Sequence, residues 1–192
     1  METINRFLEK IDGETHISLE EIPAIDLYMD QVIQLFENKY GSTKRNEKEK
    51  ILTKTIVNKY VKGKLLVQNK NKKYSKEHLI LISMIYQLKG ALSINDIHDT
   101  LAAVNNRAAT GEIDLETFYR DFLDLCERSK GNFLKDLEEK KRDTEEKVRM
   151  ADEENQEELK ELGKILMIAS LAYASNLYRR AAEALVDDLV KK

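Results

Sequence analysis

The chain is almost unpunctuated: 192 residues hold one proline, Pro23, and only seven glycines. So few chain breakers leave long helices as the natural element and disfavour a fold of many short strands and turns. Hydrophobic periodicity agrees. No strand-like alternation of useful length is present, and apolar residues recur instead at helical spacing.

The pattern predicts the following order. Ile4, Phe7, Leu8 and Ile11 form a weak amphipathic stretch within residues 1–17, ended by Gly13. Ser18-Leu-Glu-Glu reads as a capping box and Pro23 as a first-turn residue, opening a helix that carries Leu27, Val32, Leu35 and Phe36 to Tyr40 and is capped by Gly41. Residues 42–51 read as a loop. A short helix from Thr53 to Lys62 stops at Gly63, and Gln68 to Lys73 is a polar loop or small wing. Ser75 caps a helix over Lys76–Lys89 that is apolar nearly all round, as a helix central to a core would be. Gly90 ends it. Ser93-Ile-Asn-Asp caps the next, with Ile94, Ile97, Leu101 and Val104 on one face and a break at Asn105–Gly111. Leu115, Phe118, Phe122 and Leu125 mark another amphipathic helix. Past Gly131 the chain changes character. Residues 136–158 are dense in charge, a solvated helix or spacer, followed by a stripe of Leu159, Leu162, Leu166, Ala169, Tyr173, Leu177, Ala181 and Leu185. An all-α protein is expected, divided into an extension (1–19), a central domain (20–130) and a helical C-terminal region (131–192).

Composition narrows the class. With 42% hydrophobic and 35% charged residues the chain has enough apolar material for a core without staples. A single cysteine, Cys126, rules out an internal disulfide and fits a reducing, cytoplasmic setting. The N-terminal residues carry charge throughout and do not read as a secretory signal. The longest apolar run, Ile165–Tyr178, falls short of the roughly 20 residues of a membrane span, so no membrane association is expected. His16, His78 and His98 share no ligand spacing with one another or with Cys126, and no phosphate loop, nucleophile elbow or paired-carboxylate motif occurs. Neither an enzyme nor a cofactor is expected.

Charge is placed unevenly. Between Lys44 and Lys76 twelve basic residues face only Glu47 and Glu49, a local +10 in a chain whose total is −3. No acid occurs from position 51 to 75. Such a segment on an acidic body suits a polyanionic partner. At 100° per residue Thr55, Asn58, Lys59 and Lys62 share one side of the short helix, and Ile56, Val57, Tyr60 and Val61 lie opposite. Lysines meet phosphates or guanine edges, and asparagine can bond adenine with both its polar atoms. Lys70, Lys72 and Lys73 of the following loop could straddle the adjacent backbone. Lys54, Lys64 and Tyr74, bordering the two stretches, complete the candidate duplex-contact set.

The segments TKTIVNKYVKGKLL and KKYSKEHLILISMIYQLKGALSINDI resemble the DNA-binding region of the MerR family of regulators. The likeness rests on Tyr60, Gly63, Leu65 and Leu66, on Tyr74 and Ser75, on Ile85 and Leu88, and on Leu92, Ser93 and Ile97. Together with EIPAIDLYMDQVIQLFE, the chain from about residue 20 to 125 also resembles the bacterial domain of unknown function number 1836. The resemblance implies a helical module with a winged helix-turn-helix. In place of the arginine–tyrosine pair and wing arginines of MerR proteins stand Asn58-Lys59-Tyr60 and lysines, point charges without the guanidinium fork. The C-terminal stripe has two readings: a dimerisation helix of the kind MerR-type regulators use, or packing within the chain against residues 76–89 and 115–125. The leading function is DNA-binding transcriptional regulation by a homodimer on double-stranded DNA. The alternative is a helical protein-interaction module without DNA recognition.

Overall fold

The computed structural model describes residues 16–66, 70–150 and 156–191, together with Ile4 and Phe7. The rest of the predicted N-terminal pattern and Gln68 lie outside them. Among the described residues the protein is mostly helical, with one two-stranded sheet. The order is β1 (Leu27–Tyr28), α1 (Met29–Tyr40), a 3-10 turn (Gly41–Thr43), α2 (Lys54–Lys62), a second 3-10 turn (Lys70–Lys72), β2 (Lys73–Tyr74), α3 (Lys76–Leu88), α4 (Ile94–Ala109), α5 (Leu115–Met150) and α6 (Gln156–Val190).

The first helix starts later than its sequence signals imply. The Ser18 and Glu21 side chains do bond each other's backbone N–H, at 2.7 and 3.4 Å. They close a turn rather than a helix. Pro23 stops the Ser18 turn from continuing as a helix, since proline pushes its predecessor, here Ile22, out of the α region. The chain instead runs into β1, and Gln31 caps α1 by accepting the Tyr28 N–H at 2.8 Å. Sheet pairing is antiparallel, with Leu27 opposite Tyr74 and Tyr28 opposite Lys73. Two-residue alternation turns Leu27 and Tyr74 into the core and Tyr28 and Lys73 outward.

α3 is the centre of the core. Eight consecutive residues, His78 to Ile85, are buried, as its all-round apolar pattern requires. α1 and α2 add Val32, Phe36, Val57 and Tyr60, α4 adds Ile97, Leu101 and Val104, and α5 adds Leu115 and Tyr119. Ile94, in the first turn of α4, stays 51% exposed, and the helix runs on through Asn105 to a turn at Thr110 and Gly111. Ile51 and Leu52 pin the long connection between α1 and α2 into the core. Lys89 holds the same connection by donating to the Ile51 carbonyl at 3.2 Å.

α5 passes Gly131 without interruption, and the charged stretch from Asp136 to Met150 is helical. α6 folds back antiparallel on it: Thr144 reaches the Met167 sulfur at 4.0 Å, and Gly163 sits against Val148. α6 also meets α4. Among the described residues Gly163, Met167 and Val186 are the buried ones of α6. The predicted stripe lies on a different face. Leu162, Leu166, Tyr173, Leu177 and Leu185 are all exposed, about half to two-thirds of each side chain. Among the described residues no helix is long and apolar enough to cross a membrane.

Candidate nucleic-acid interface

Local rules set α2 in place. Thr53 caps it, its hydroxyl accepting the Ile56 N–H at 3.2 Å. The far end closes as a Schellman motif: the Leu65 N–H bonds the Tyr60 carbonyl at 3.0 Å and the Lys64 N–H bonds the Val61 carbonyl at 3.1 Å. Burial of Val57 and Tyr60 then fixes the helix's rotation, leaving Lys54, Thr55, Asn58, Lys59 and Lys62 exposed on the opposite side. Asn105 of α4 donates to the Leu65 carbonyl at 3.4 Å and so supports the exit turn.

The β1–β2 ribbon carries the second part of the surface. Lys73 Nζ lies 5.2 Å from the centre of the Tyr28 ring, a cation–π contact on the outer face. Asn71 and Lys72 precede it with φ of 54° and 60°, which presents the Lys72 side chain to solvent. Lys54 Nζ pairs with Asp30 at 2.7 Å. Because Asp30 is two residues beyond Tyr28, this pair brings the first turn of α2 beside the ribbon. Among the described residues Lys59, Lys62, Lys64 and Lys72 have no carboxylate partner. The side chain of Lys70 lies outside the described set.

Tyr74 departs from the predicted contact set. It is 2% exposed, with its ring edge-on to His78 at 5.8 Å. Strand alternation sends it inward, so it braces the ribbon from beneath. The exposed aromatic on that ribbon is Tyr28, at 55%. Sequence reasoning passed over it because a two-residue strand carries no readable alternation. His78, also buried, lies 2.8 Å from the Ser75 hydroxyl and serves the cap of α3. Cys126 is half-buried, and burial pushes its thiol up, away from the reactive thiolate. No group of three or more His, Cys, Asp or Glu among the described residues is placed to hold a metal ion.

The model of a family described as a domain of unknown function, DUF1836, matches residues 17–122, more than half of the chain. The chain belongs to the DUF1836 family. No curated protein and no solved structure matches it. The DUF1836 segment starts at the buried Ile17 and ends within α5, so it takes in α1 to α4, the ribbon and the whole lysine-bearing surface. The α5–α6 hairpin beyond Phe122 lies outside the DUF1836 match.

Proposed function

We propose that this DUF1836 protein is a DNA-binding transcriptional regulator with a winged helix-turn-helix of MerR type. α1 and α2 are the paired helices, Gly41–Thr53 is an extended turn between them, and the β1–β2 ribbon is the wing. The observation carrying this reading is the shared exposed surface of α2 and the ribbon, which holds Lys54, Lys59, Lys62, Lys64, Lys72 and Lys73 on a chain of net charge −3. Thr55 and Asn58 stand among those lysines, able to donate and accept at base edges in the major groove. The ribbon lysines follow the flanking phosphates. Asp30 pairs with Lys54 on this surface, an exposed and weak pairing that a phosphate can displace.

The molecule acts as a homodimer in this reading. From Ile165 to Tyr178 α6 carries no charged residue, so two copies can meet across a twofold axis without like charges opposed. Leu162, Ile165, Leu166, Tyr173 and Leu177, each about half exposed or more and on one side of the helix, leave on the order of 500 Å² of apolar surface. That lies at the upper end of the roughly 300–600 Å² patch a monomer ordinarily leaves uncovered, the range in which patches are often functional, and is a little over half of the roughly 800 Å² per partner of a standard interface.

Titrating a fluorescent duplex at several salt concentrations tests the reading. Log affinity is expected to fall steeply against log salt, and Lys59→Glu with Lys62→Glu to flatten the slope by about 0.9 for each phosphate contact removed. Absence of duplex binding at low salt would overturn it and favour a helical module that meets an acidic protein surface with the same lysines.

A further inference from the structure

A recess lies in the cleft between α5 and α6 and is lined by none of the surface lysines. It has a volume of about 820 Å³, and Phe7 and Ile4 of the N-terminal segment close one side. Its origin is a size mismatch in an antiparallel helix pair. At the level of Leu137 on α5, α6 supplies Ala174 with Ser175 beside it, side chains too short to fill the gap. Interiors normally pack to crystal-like density, so an apolar hollow this large is either a liability or a site. Phe7 and Phe133 pack edge to face, with ring centres 6.4 Å apart, and together give the hollow one aromatic wall.

Charge in the lining specifies what fits. Asp136 contributes the one carboxylate, and Lys140 one turn on is ion-paired to it. The Ser129 hydroxyl is already spent on the Leu125 carbonyl at 2.8 Å. Asn132, Ser175 and the Tyr178 hydroxyl remain at the rim as uncharged hydrogen-bonding groups without a partner among the described residues. Among the described residues the lining is therefore apolar inside, neutral overall once Lys140 is counted, and polar at one edge.

The recess is also distinct from the proposed dimer face. At 100° per residue Leu171, Ala174 and Tyr178 centre roughly 130° away from Leu162, Leu166 and Tyr173. A second copy seated on the exposed stripe leaves the cleft open.

We propose that this cleft binds an uncharged small molecule with an apolar, ring-containing body and one polar group that reaches Asn132 and Ser175. The volume falls within the 300–1,000 Å³ typical of sites for ligands of drug-like size. The assignment is independent of the duplex reading, since none of the lining residues belongs to that surface.

Nile red, a neutral apolar fluorophore bearing a carbonyl, is the probe. The full chain is expected to bind it saturably at one molecule per protomer, with blue-shifted emission. Ala174→Trp fills the hollow and should weaken binding at least tenfold. Ser175→Trp blocks it from an exposed rim position where the fold tolerates bulk, and should do the same. Ile25→Ser removes an apolar side chain exposed elsewhere and should leave affinity within twofold. Binding that is absent or unsaturable, or that survives both tryptophan variants, overturns the proposal. So does binding that disappears as protein concentration rises, which would assign the cleft to a second copy. An affinity that increases in Phe7→Ala overturns it too, and would make the chain's own N-terminal segment the occupant.

Discussion

Lys64 adopts φ of 57°, a left-handed conformation that crowds its Cβ. In a Schellman motif this position usually belongs to glycine, yet here the glycine is one residue earlier. Gly63 has an ordinary φ of −77°. It is required for a different reason: a Cβ there would lie 2.9 Å from Leu65 Cδ1 and 3.1 Å from the Lys59 carbonyl. Lys64→Gly is therefore expected to stabilise the fold by about 1 kcal/mol, and Gly63→Ala to destabilise it, both measured as shifts of the urea midpoint. That α2 ends at Gly63 was legible in the sequence. Which residue bears the strained turn was not, because that depends on where Leu65 packs. His16 was equally silent. Burial, aided by nearby Lys130 and Lys39, lowers its pKa below the ordinary 6.5 against the opposing pull of Glu127, and its Nδ1 is buried without a partner. The folded state thus prefers neutral imidazole, while the unfolded chain takes up a proton below about pH 6.5. The stability this provides is full above that pH and is lost as pH falls from 6.5 through the depressed folded value. Thermal unfolding of His16→Gln should show a shallower decline over that range.

At the scale of elements, α3 was readable because an all-round apolar helix has only one destination. α6 was harder for the same reason. Between Ile165 and Tyr178 nearly every position is apolar or small, so periodicity does not identify the inward face. Gly163 makes that choice. A Cβ at this position would stand 2.9 Å from Val148 Cγ2, so its absence lets α5 and α6 approach closely and turns Met167 and Val186 inward. The stripe seen in the sequence is left outside. Gly163→Leu should force the two helices apart and lower the thermal unfolding midpoint by a few degrees. The ribbon lay below the resolution of pattern reading, and the long connection between α1 and α2 concealed two anchor residues, Ile51 and Leu52.

Over the whole molecule, the matched family segment and the hairpin beyond it are parts of one continuous structure, because α5 belongs to both. Tyr119 secures the start of that helix to the start of the family segment: its hydroxyl donates to the Ile17 carbonyl at 2.7 Å, and burial raises its phenol to about 12. Tyr119→Phe strands a buried carbonyl and is expected to cost about 1–3 kcal/mol, read as a loss in unfolding free energy without change in helical content.

α5, at 36 residues, is about 54 Å of unbroken helix. A rod of this kind transmits angle as faithfully as distance. Each residue added between Leu123 and Gly131 would swing the distal hairpin by about 100° around the rod, and seven would return it to within about 20° of its starting azimuth. The direction in which the hairpin faces, relative to the lysine surface, is therefore encoded by the number of residues in the arm as well as by their chemistry.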